Sequence, residues 1–370
     1  MLLVATLSDI LGDIFSEVAN MTQISSSPTP ASQVLERNLA LFADKKVLVA
    51  GAIEDTYPIE LANTCDSVTV FTTFYPTFNA LKHSERIDCH FAASYQGKAD
   101  EAAHFDAIIL YVPKAKAEVE YLLANLMPHL KLNGLLYLVG ENRGGIKSIN
   151  KQLTPYANQT TKLDSARRCS LLALEKHQVC DEFQLDDWLS RYSIEVKGQH
   201  LEVISLPGVF SAKELDLGTQ VLLENIAPLK GNALDIGCGA GVIGAYLLKS
   251  NPDLNLDMID VNALAVESTK RTLAANGLTA NVFASDVYSD VNQRYNTLVS
   301  NPPFHAGLNT HYGAAEQIIN QARQHLKIRG RLIIVANKFL RYEPLFEQSF
   351  SHCESLFATS KFKLLSNYPD

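Results

Sequence analysis

From about residue 45 onward, short runs of Val, Ile and Leu alternate with amphipathic stretches of roughly 10 to 18 residues. Runs that are apolar at nearly every position suit strands covered on both faces. The amphipathic stretches between them suit the helices of βα units on a parallel sheet. In the C-terminal half the pattern predicts strands at about 232–237, 255–260, 280–284, 296–300, 331–336, 353–358 and 361–366, with helices at 240–250, 262–276 and 313–327. Only a few residues separate the last two strands. That is too short for a helical crossover, so these two are expected to pair antiparallel.

The same plan occurs twice. Lys46-Val-Leu-Val-Ala-Gly51 parallels Asn232-Ala-Leu-Asp-Ile-Gly237, and Phe105-Asp-Ala-Ile-Ile-Leu-Tyr-Val-Pro113 parallels Tyr295-Asn-Thr-Leu-Val-Ser-Asn-Pro-Pro303. Leu130-Lys-Leu-Asn-Gly134 and the apolar run to Gly140 parallel Leu326-Lys-Ile-Arg-Gly330 and the run to Ala336. Three matches in one order at nearly constant offset point to duplication. The expected fold is α/β: two tandem Rossmann-like domains built on a seven-stranded, mostly parallel sheet with an antiparallel end pair. Residues 1–28 read as an extension and linker, 29–185 as the first domain and 198–370 as the second, with the boundary near Trp188 and Gly198.

Composition narrows the class. At 47% hydrophobic and 19% charged the chain can bury more than one core. No apolar run reaches the roughly 18 to 20 residues that span a bilayer. The first twenty residues are apolar but lack a positive n-region, and Asp9, Asp13 and Glu17 interrupt them at helical spacing. That argues for a loosely attached helix against a signal peptide, with Met21 an alternative start. Six scattered cysteines, none in a CxxC pair, suit reduced core residues of a cytoplasmic protein and no metal site. The net charge of −8 does not favour a nucleic-acid partner, but cations cluster in Glu141–Lys176 and in Arg323–Arg341, which permits one.

Three acidic side chains fall at consecutive strand ends. Asp235-Ile-Gly-Cys-Gly-Ala-Gly241 turns tightly after the first strand and leads into a helix whose free N–H groups face a ligand. Asp260 ends the next strand, where a carboxylate can accept from both ribose hydroxyls, and Asp286 with Val287 ends the one after, suited to an adenine amino group. Gly239-Ala-Gly241-Val-Ile-Gly244 also reads as GxGxxG, so a dinucleotide site remains open on these residues alone. Asn301-Pro302-Pro303-Phe304 weighs against it. The Asn301 oxygen and Pro302 carbonyl can both accept from one exocyclic NH₂, while Phe304 stacks on the ring that bears it.

With Pro207-Gly-Val-Phe-Ser211, Leu217-Gly-Thr-Gln220, Leu273-Ala-Ala-Asn-Gly277 and Val282-Phe-Ala-Ser285, these motifs resemble the ribosomal RNA small subunit methyltransferase C family. The likeness extends to Val139-Gly-Glu-Asn-Arg143 and Asp164-Ser-Ala-Arg-Arg-Cys169, and covers nearly everything from Thr29 onward. It implies two class I methyltransferase-like domains, only the second catalytic. The implied reaction is methylation of the N2 amino group of one guanine in 16S rRNA (guanine 1207 in the family) within the small ribosomal subunit, using S-adenosylmethionine. By the same resemblance Asp235, Gly237, Cys238, Gly239 and Gly241 would cradle the methionine part of the cofactor under Gly218 and Thr219. Asp260 would take the ribose, Asp286 and Val287 the adenine, and Asn301 to Phe304 the target base. A monomer is expected. Methylation of a protein glutamine amide or of adenine N6, which also present a planar NH₂, and a non-catalytic RNA-binding assembly role stay as alternatives. In the first half, Gly51-Ala-Ile-Glu-Asp-Thr56 has lost two of the glycines and Tyr111-Val-Pro-Lys114 stands for Asn-Pro-Pro-Phe, so that half is expected to bind no cofactor. His305, His311 and Phe210 are given no catalytic role.

Overall fold

The computed structural model describes residues 24–97, 103–156, 160–303 and 312–367. The helix expected in the first twenty residues, Met21, Phe304, His305 and His311 lie outside them. Among the described residues no helix is long and apolar enough to cross a membrane.

Each half is built on a seven-stranded sheet. The first contains β1 (Lys46–Gly51), β2 (Ser67–Thr72), β3 (Asp88–Phe91), β4 (Phe105–Tyr111), β5 (Leu130–Glu141), β6 (Thr161–Ala166) and β7 (Cys169–Glu175), in the order β3-β2-β1-β4-β5-β7-β6. A two-stranded hairpin, β8 (Ser190–Val196) and β9 (Gln199–Ser205), follows. The second sheet contains β10 (Asn232–Ile236), β11 (Asn255–Asp260), β12 (Asn281–Ala284), β13 (Tyr295–Ser300), β14 (Leu326–Asn337), β15 (Cys353–Ala358) and β16 (Phe362–Asn367), in the order β12-β11-β10-β13-β14-β16-β15. Five strands of each sheet are parallel and the last two antiparallel, as the spacing predicts. The central strands are buried nearly throughout because helices cover both faces, which is why they read as mainly apolar runs without strict alternation.

One boundary differs from the sequence reading. β14 starts at Leu326, not 331, and the preceding helix stops at His325. Tyr295 pairs Leu326 but Thr297 pairs Arg331, so the strand carries a bulge, with Arg329 left-handed at φ 60° beside Gly330. The first half repeats the device at Asn133, φ 62°, beside Gly134.

The halves meet through equivalent backbone. Thr72 and Asp260 each end the second strand of their sheet, and two residues further on Phe74 and Asn262 pair antiparallel across the junction. Tyr75 N donates to Val261 O at 2.8 Å and Ala263 N donates to Thr73 O at 2.8 Å, a reciprocal exchange of the kind found across a two-fold axis. Tyr75 Oη adds a bond to Asp290 at 2.9 Å. Tyr121, on the first-half helix Lys116–Leu126, is buried in the second-half core, edge-on to Phe183 and Trp188 at 5.3 and 5.4 Å.

Ala263 is the first residue of the helix Ala263–Ala275, a position whose N–H has no partner within the helix and which tolerates proline. Ala263→Pro therefore deletes one junction hydrogen bond and leaves the helix intact. It is expected to lower stability by about 1–3 kcal/mol, read as a drop in the thermal midpoint of the full chain.

Candidate functional site

In both sheets the strand order reverses at the centre, between β1 and β4 and between β10 and β13. Such a switch point opens a crevice beyond the carboxyl ends of the strands. In the second half the crevice is held open. Gly237 N and Cys238 N both bond to Ile259 O, each at 2.9 Å, pulling the turn toward β11 and away from β13. A Cβ built on Gly237, φ 74°, meets nothing within 4 Å. Ser300 Oγ donates to Ile236 O at 2.8 Å and ties the two strand ends together below the opening.

In the first half the same crevice is zipped shut. Ala52 N donates to Tyr111 O at 2.9 Å, and a Cβ on Gly51 would overlap that carbonyl oxygen. The strand registers place Val49, Thr72, Ala93 and Tyr111 at the positions of Asp235, Asp260, Asp286 and Asn301. Asp55, which follows the degenerate turn, is fully buried. It accepts from Thr29 N at 2.6 Å, Ser32 Oγ at 3.0 Å and Tyr57 N at 3.0 Å, so it staples two helices together.

Of the carboxylates expected at the second-half strand ends, Asp260 ends β11, Asp235 lies one residue inside the end of β10 and Asp286 lies two residues beyond β12. Asp235 is fully buried; Oδ2 accepts from Gly244 N at 3.1 Å, and Oδ1 has no partner among the described residues. Burial, and then the neighbouring Asp260, push its carboxyl up to about 7. Asp260 accepts from Gly239 N at 3.0 Å and Asn262 N at 2.9 Å, bracing the glycine turn against the next helix; burial also raises its pKa. Asp286 is half-buried with its pKa raised by burial. Beside it Val287 is held at φ 51°, a conformation strained for a β-branched residue. Cys238 is buried, and burial with the carboxylates of Asp260 and Asp235 holds its thiol well above the ordinary range.

Asn301 is buried at the end of β13 with Pro302, while Pro303 is exposed. Its Nδ2 donates to Asp216 Oδ2 at 3.0 Å and to Thr219 Oγ1 at 2.7 Å, and its Oδ1 has no partner among the described residues. A carboxylate only accepts, so Asp216 decides which way the amide faces and leaves the oxygen as a free acceptor. Asp216 is also the N-cap of the helix Leu217–Asn225, accepting from Thr219 N at 2.8 Å. Gly218, buried on that helix, packs against the Phe362 ring. The first half preserves the frame with other atoms: Thr29 caps the helix Pro30–Glu36, and Ser32 Oγ meets Tyr111 Oη at 2.7 Å.

Sequence reasoning missed Asp216. An Asp before Leu-Gly-Thr is readable as an N-cap, but nothing local reveals a contact 85 positions along the chain. Lys176, counted within the Glu141–Lys176 cluster, is also not a surface cation: it is buried and donates to Met127 O at 2.6 Å and Leu130 O at 2.7 Å.

Residues 200–366 match the family model described as methyltransferase small domain, and 32–192 match the methyltransferase small domain N-terminal model. An Aeromonas hydrophila protein named ribosomal RNA small subunit methyltransferase C is 50% identical over 92% of this chain and 98% of its own. The chain belongs to the ribosomal RNA small subunit methyltransferase C family. A Vibrio vulnificus member is likewise 50% identical over 92% of this chain and 98% of its own. A solved T. thermophilus structure, described as a 16S rRNA N2 G1207 methyltransferase in complex with AdoMet and guanosine, shares the two-domain fold. Its TM-score is 0.81 at 24% identity, covering 93% of both chains. Like its family, the chain is an S-adenosylmethionine-dependent methyltransferase.

Asp216→Asn keeps the capping oxygen but removes the charge that orients the Asn301 amide. It is expected to lower kcat about tenfold, in line with loss of a hydrogen bond to a charged group, with cofactor affinity within about twofold of the unsubstituted protein. Separate measurement of kcat and of cofactor binding checks both.

Proposed function

We propose that the chain transfers the methyl group of S-adenosylmethionine to the exocyclic N2 of a guanine in 16S rRNA, presented by the small ribosomal subunit. One observation carries the reading: the Asn301 nitrogen is anchored by Asp216 and Thr219, and its buried oxygen has no partner among the described residues. A buried acceptor left open in this way suits an N–H brought by a ligand. The adjacent Pro302 carbonyl provides a second acceptor in a loop stiffened by two prolines. An aromatic amine is a weak nucleophile because its lone pair is delocalised into the ring. Acceptors on both its hydrogens favour a pyramidal nitrogen with that lone pair turned out of the ring plane. Phe304, expected against the base, lies outside the described residues. The names of the curated relatives support ribosomal RNA as the substrate.

The residues present fit the cofactor. Asp235 Oδ1 is a buried oxygen without a partner among the described residues, suited to an ammonium group, and the space above Gly237 admits a ligand against backbone. Gly239 and Gly241, at φ 56° and 80°, complete that cradle with Cys238, and Gly218 and Thr219 close it. Asp260 would hold the ribose, with Asp286 and Val287 at the adenine. When bound, S-adenosylmethionine supplies an electrophilic methyl on a sulfonium. The chain contributes alignment and fixed acceptors, with no covalent bond to the enzyme. The first half, its crevice closed by Tyr111, binds no cofactor. The protein acts as a monomer in the cytoplasm, where its substrate is.

Labelled methyl from S-adenosylmethionine should appear as N2-methylguanosine after digestion of small subunits that lack the modification. Asn301→Ala should cut the rate about 10²–10³-fold, the usual loss for a preorganised polar contact to the reacting group. Label recovered in protein, or none in RNA while the cofactor binds, would overturn the guanine reading.

A carboxyl held at about 7 is mostly protonated at pH 6 and mostly ionised at pH 7.5. Cofactor affinity should therefore rise about tenfold over that interval, measured by calorimetry, and Asp235→Asn should flatten the rise. The stability of the ligand-free protein should move the other way. The folded state binds this proton more tightly than the unfolded chain, so stability falls as pH rises from about 4 through 7.

A further inference from the structure

The helix that anchors Asn301 presents Leu217 to solvent, 57% exposed, immediately after Asp216. Two turns lie beside it: the exit from β14 at Asn337–Phe339 and the turn from β15 into β16. Lys338 N donates to Lys361 O at 2.8 Å and locks the two together. Leu217, Phe339 and Phe362 line a hollow of ≈ 620 Å³ that also includes Lys338 and Lys361. Phe339 is 65% exposed in a turn closed by Leu340 N to Asn337 O at 3.0 Å. Both lysines are exposed, and among the described residues neither is held in an ion pair.

The fold divides the Arg323–Arg341 run of cations. Lys327 and Arg329 begin β14, at the end of the sheet away from Asn301. Nine residues of strand, roughly 30 Å at 3.3 Å each, separate Arg329 from Lys338. Lys338 alone would be one charge, but β16 brings Lys361 to the same rim from beyond the run. In a chain of net charge −8, this places two cations, unpaired among the described residues, and an exposed aromatic ring at a hollow that reaches Leu217 on the helix anchoring Asn301.

We propose that the hollow seats an unpaired RNA nucleotide next to the target guanine, its base against Phe339 and Leu217 and its phosphates on Lys338 and Lys361. This rests on the ribosomal RNA reading above and deepens it by naming where flanking RNA lies. Aromatic faces flanked by cations are how single-stranded nucleic acid is held without sequence preference, because every base has a π face. A second copy of the chain fits less well, since lysine is depleted from the cores of protein interfaces.

The test uses the full chain with Phe339→Ala, and with Lys338→Ala combined with Lys361→Ala. The backbone bond between the two turns survives both changes. Small subunits lacking the methyl group are the substrate, with S-adenosylmethionine affinity measured in parallel. Each variant should raise KM for subunits about tenfold, with cofactor affinity unmoved. The double lysine variant should also flatten the dependence of log kcat/KM on log salt by about 1.4, from two phosphates at about 0.7 each. Unchanged KM and salt dependence in active variants overturns the proposal. So does a loss of cofactor affinity, which would assign the hollow to the cofactor site. So does an altered oligomeric state with KM unmoved, which would assign it to a second copy. Failure of the unsubstituted protein to label RNA overturns instead the reading on which the proposal rests.

Discussion

The site depends on the orientation of one amide. Asn301 directly follows β13, whose last residue Ser300 pairs with both neighbouring strands, but strand geometry does not decide whether Oδ1 or Nδ2 faces the crevice. Asp216 decides it, because a carboxylate accepts hydrogen bonds and cannot donate them. Thr219 takes the second Nδ2 hydrogen while its own backbone N–H is capped by the same Asp216, so one carboxylate starts a helix and aims a side chain. Thr219 lies in the helix, Asp216 caps it and Asn301 directly follows β13, so all three groups are anchored at the ends of packed elements, which is what a positioning mechanism requires.

The two halves show how small the difference is between an open crevice and a closed one. Both have a left-handed glycine at the end of the first central strand, a capped helix above it and a polar contact from that helix to the end of the next central strand. In the second half the N–H groups of the turn bond toward β11 and a gap remains; in the first, Ala52 bonds across to Tyr111 and there is none. The buried Asp55 then binds backbone and hydroxyl groups with the capacity a ligand would otherwise use. A fold can keep every layer of its packing and lose its cavity through the direction of one hydrogen bond.

The strands and the acidic residues at their ends were legible in the sequence because sheets covered on both faces leave long apolar runs, and polar side chains that interrupt a strand's end stand out against them. The family resemblance draws also on segments beyond the acidic strand ends, among them Pro207–Ser211, Leu217–Gln220 and Asn301–Phe304. Three features were not legible. The start of β14 was hidden because Lys327, Arg329 and Gly330 interrupt it and a bulge exposes Ile328, so its unbroken apolar pattern begins only beyond them. The β8–β9 hairpin turns on Lys197-Gly198, both left-handed, yet a Lys-Gly pair is a weaker turn signal than Asn-Gly. Asp216 gave only the signature of a helix cap, since a contact to a residue on a distant strand leaves no trace in local spacing.

The junction between the halves explains why duplication and loss of one crevice are compatible. Its two reciprocal hydrogen bonds are made by backbone, so they do not require the first half to carry the acidic residues of the second. On the second-half side the paired residues are Val261 to Ala263, directly after Asp260, whose carboxylate also accepts from Asn262 N and Gly239 N. The glycine turn, Asp260 and the start of the next helix are therefore one hydrogen-bonded unit, and its outer edge is pinned by Thr73 and Tyr75 of the first half. A short loop bearing a buried carboxylate is costly to hold in one conformation by its own contacts alone. Supplying its outer edge from a second folded sheet removes much of that freedom, and it requires of the first half only a backbone at a fixed place.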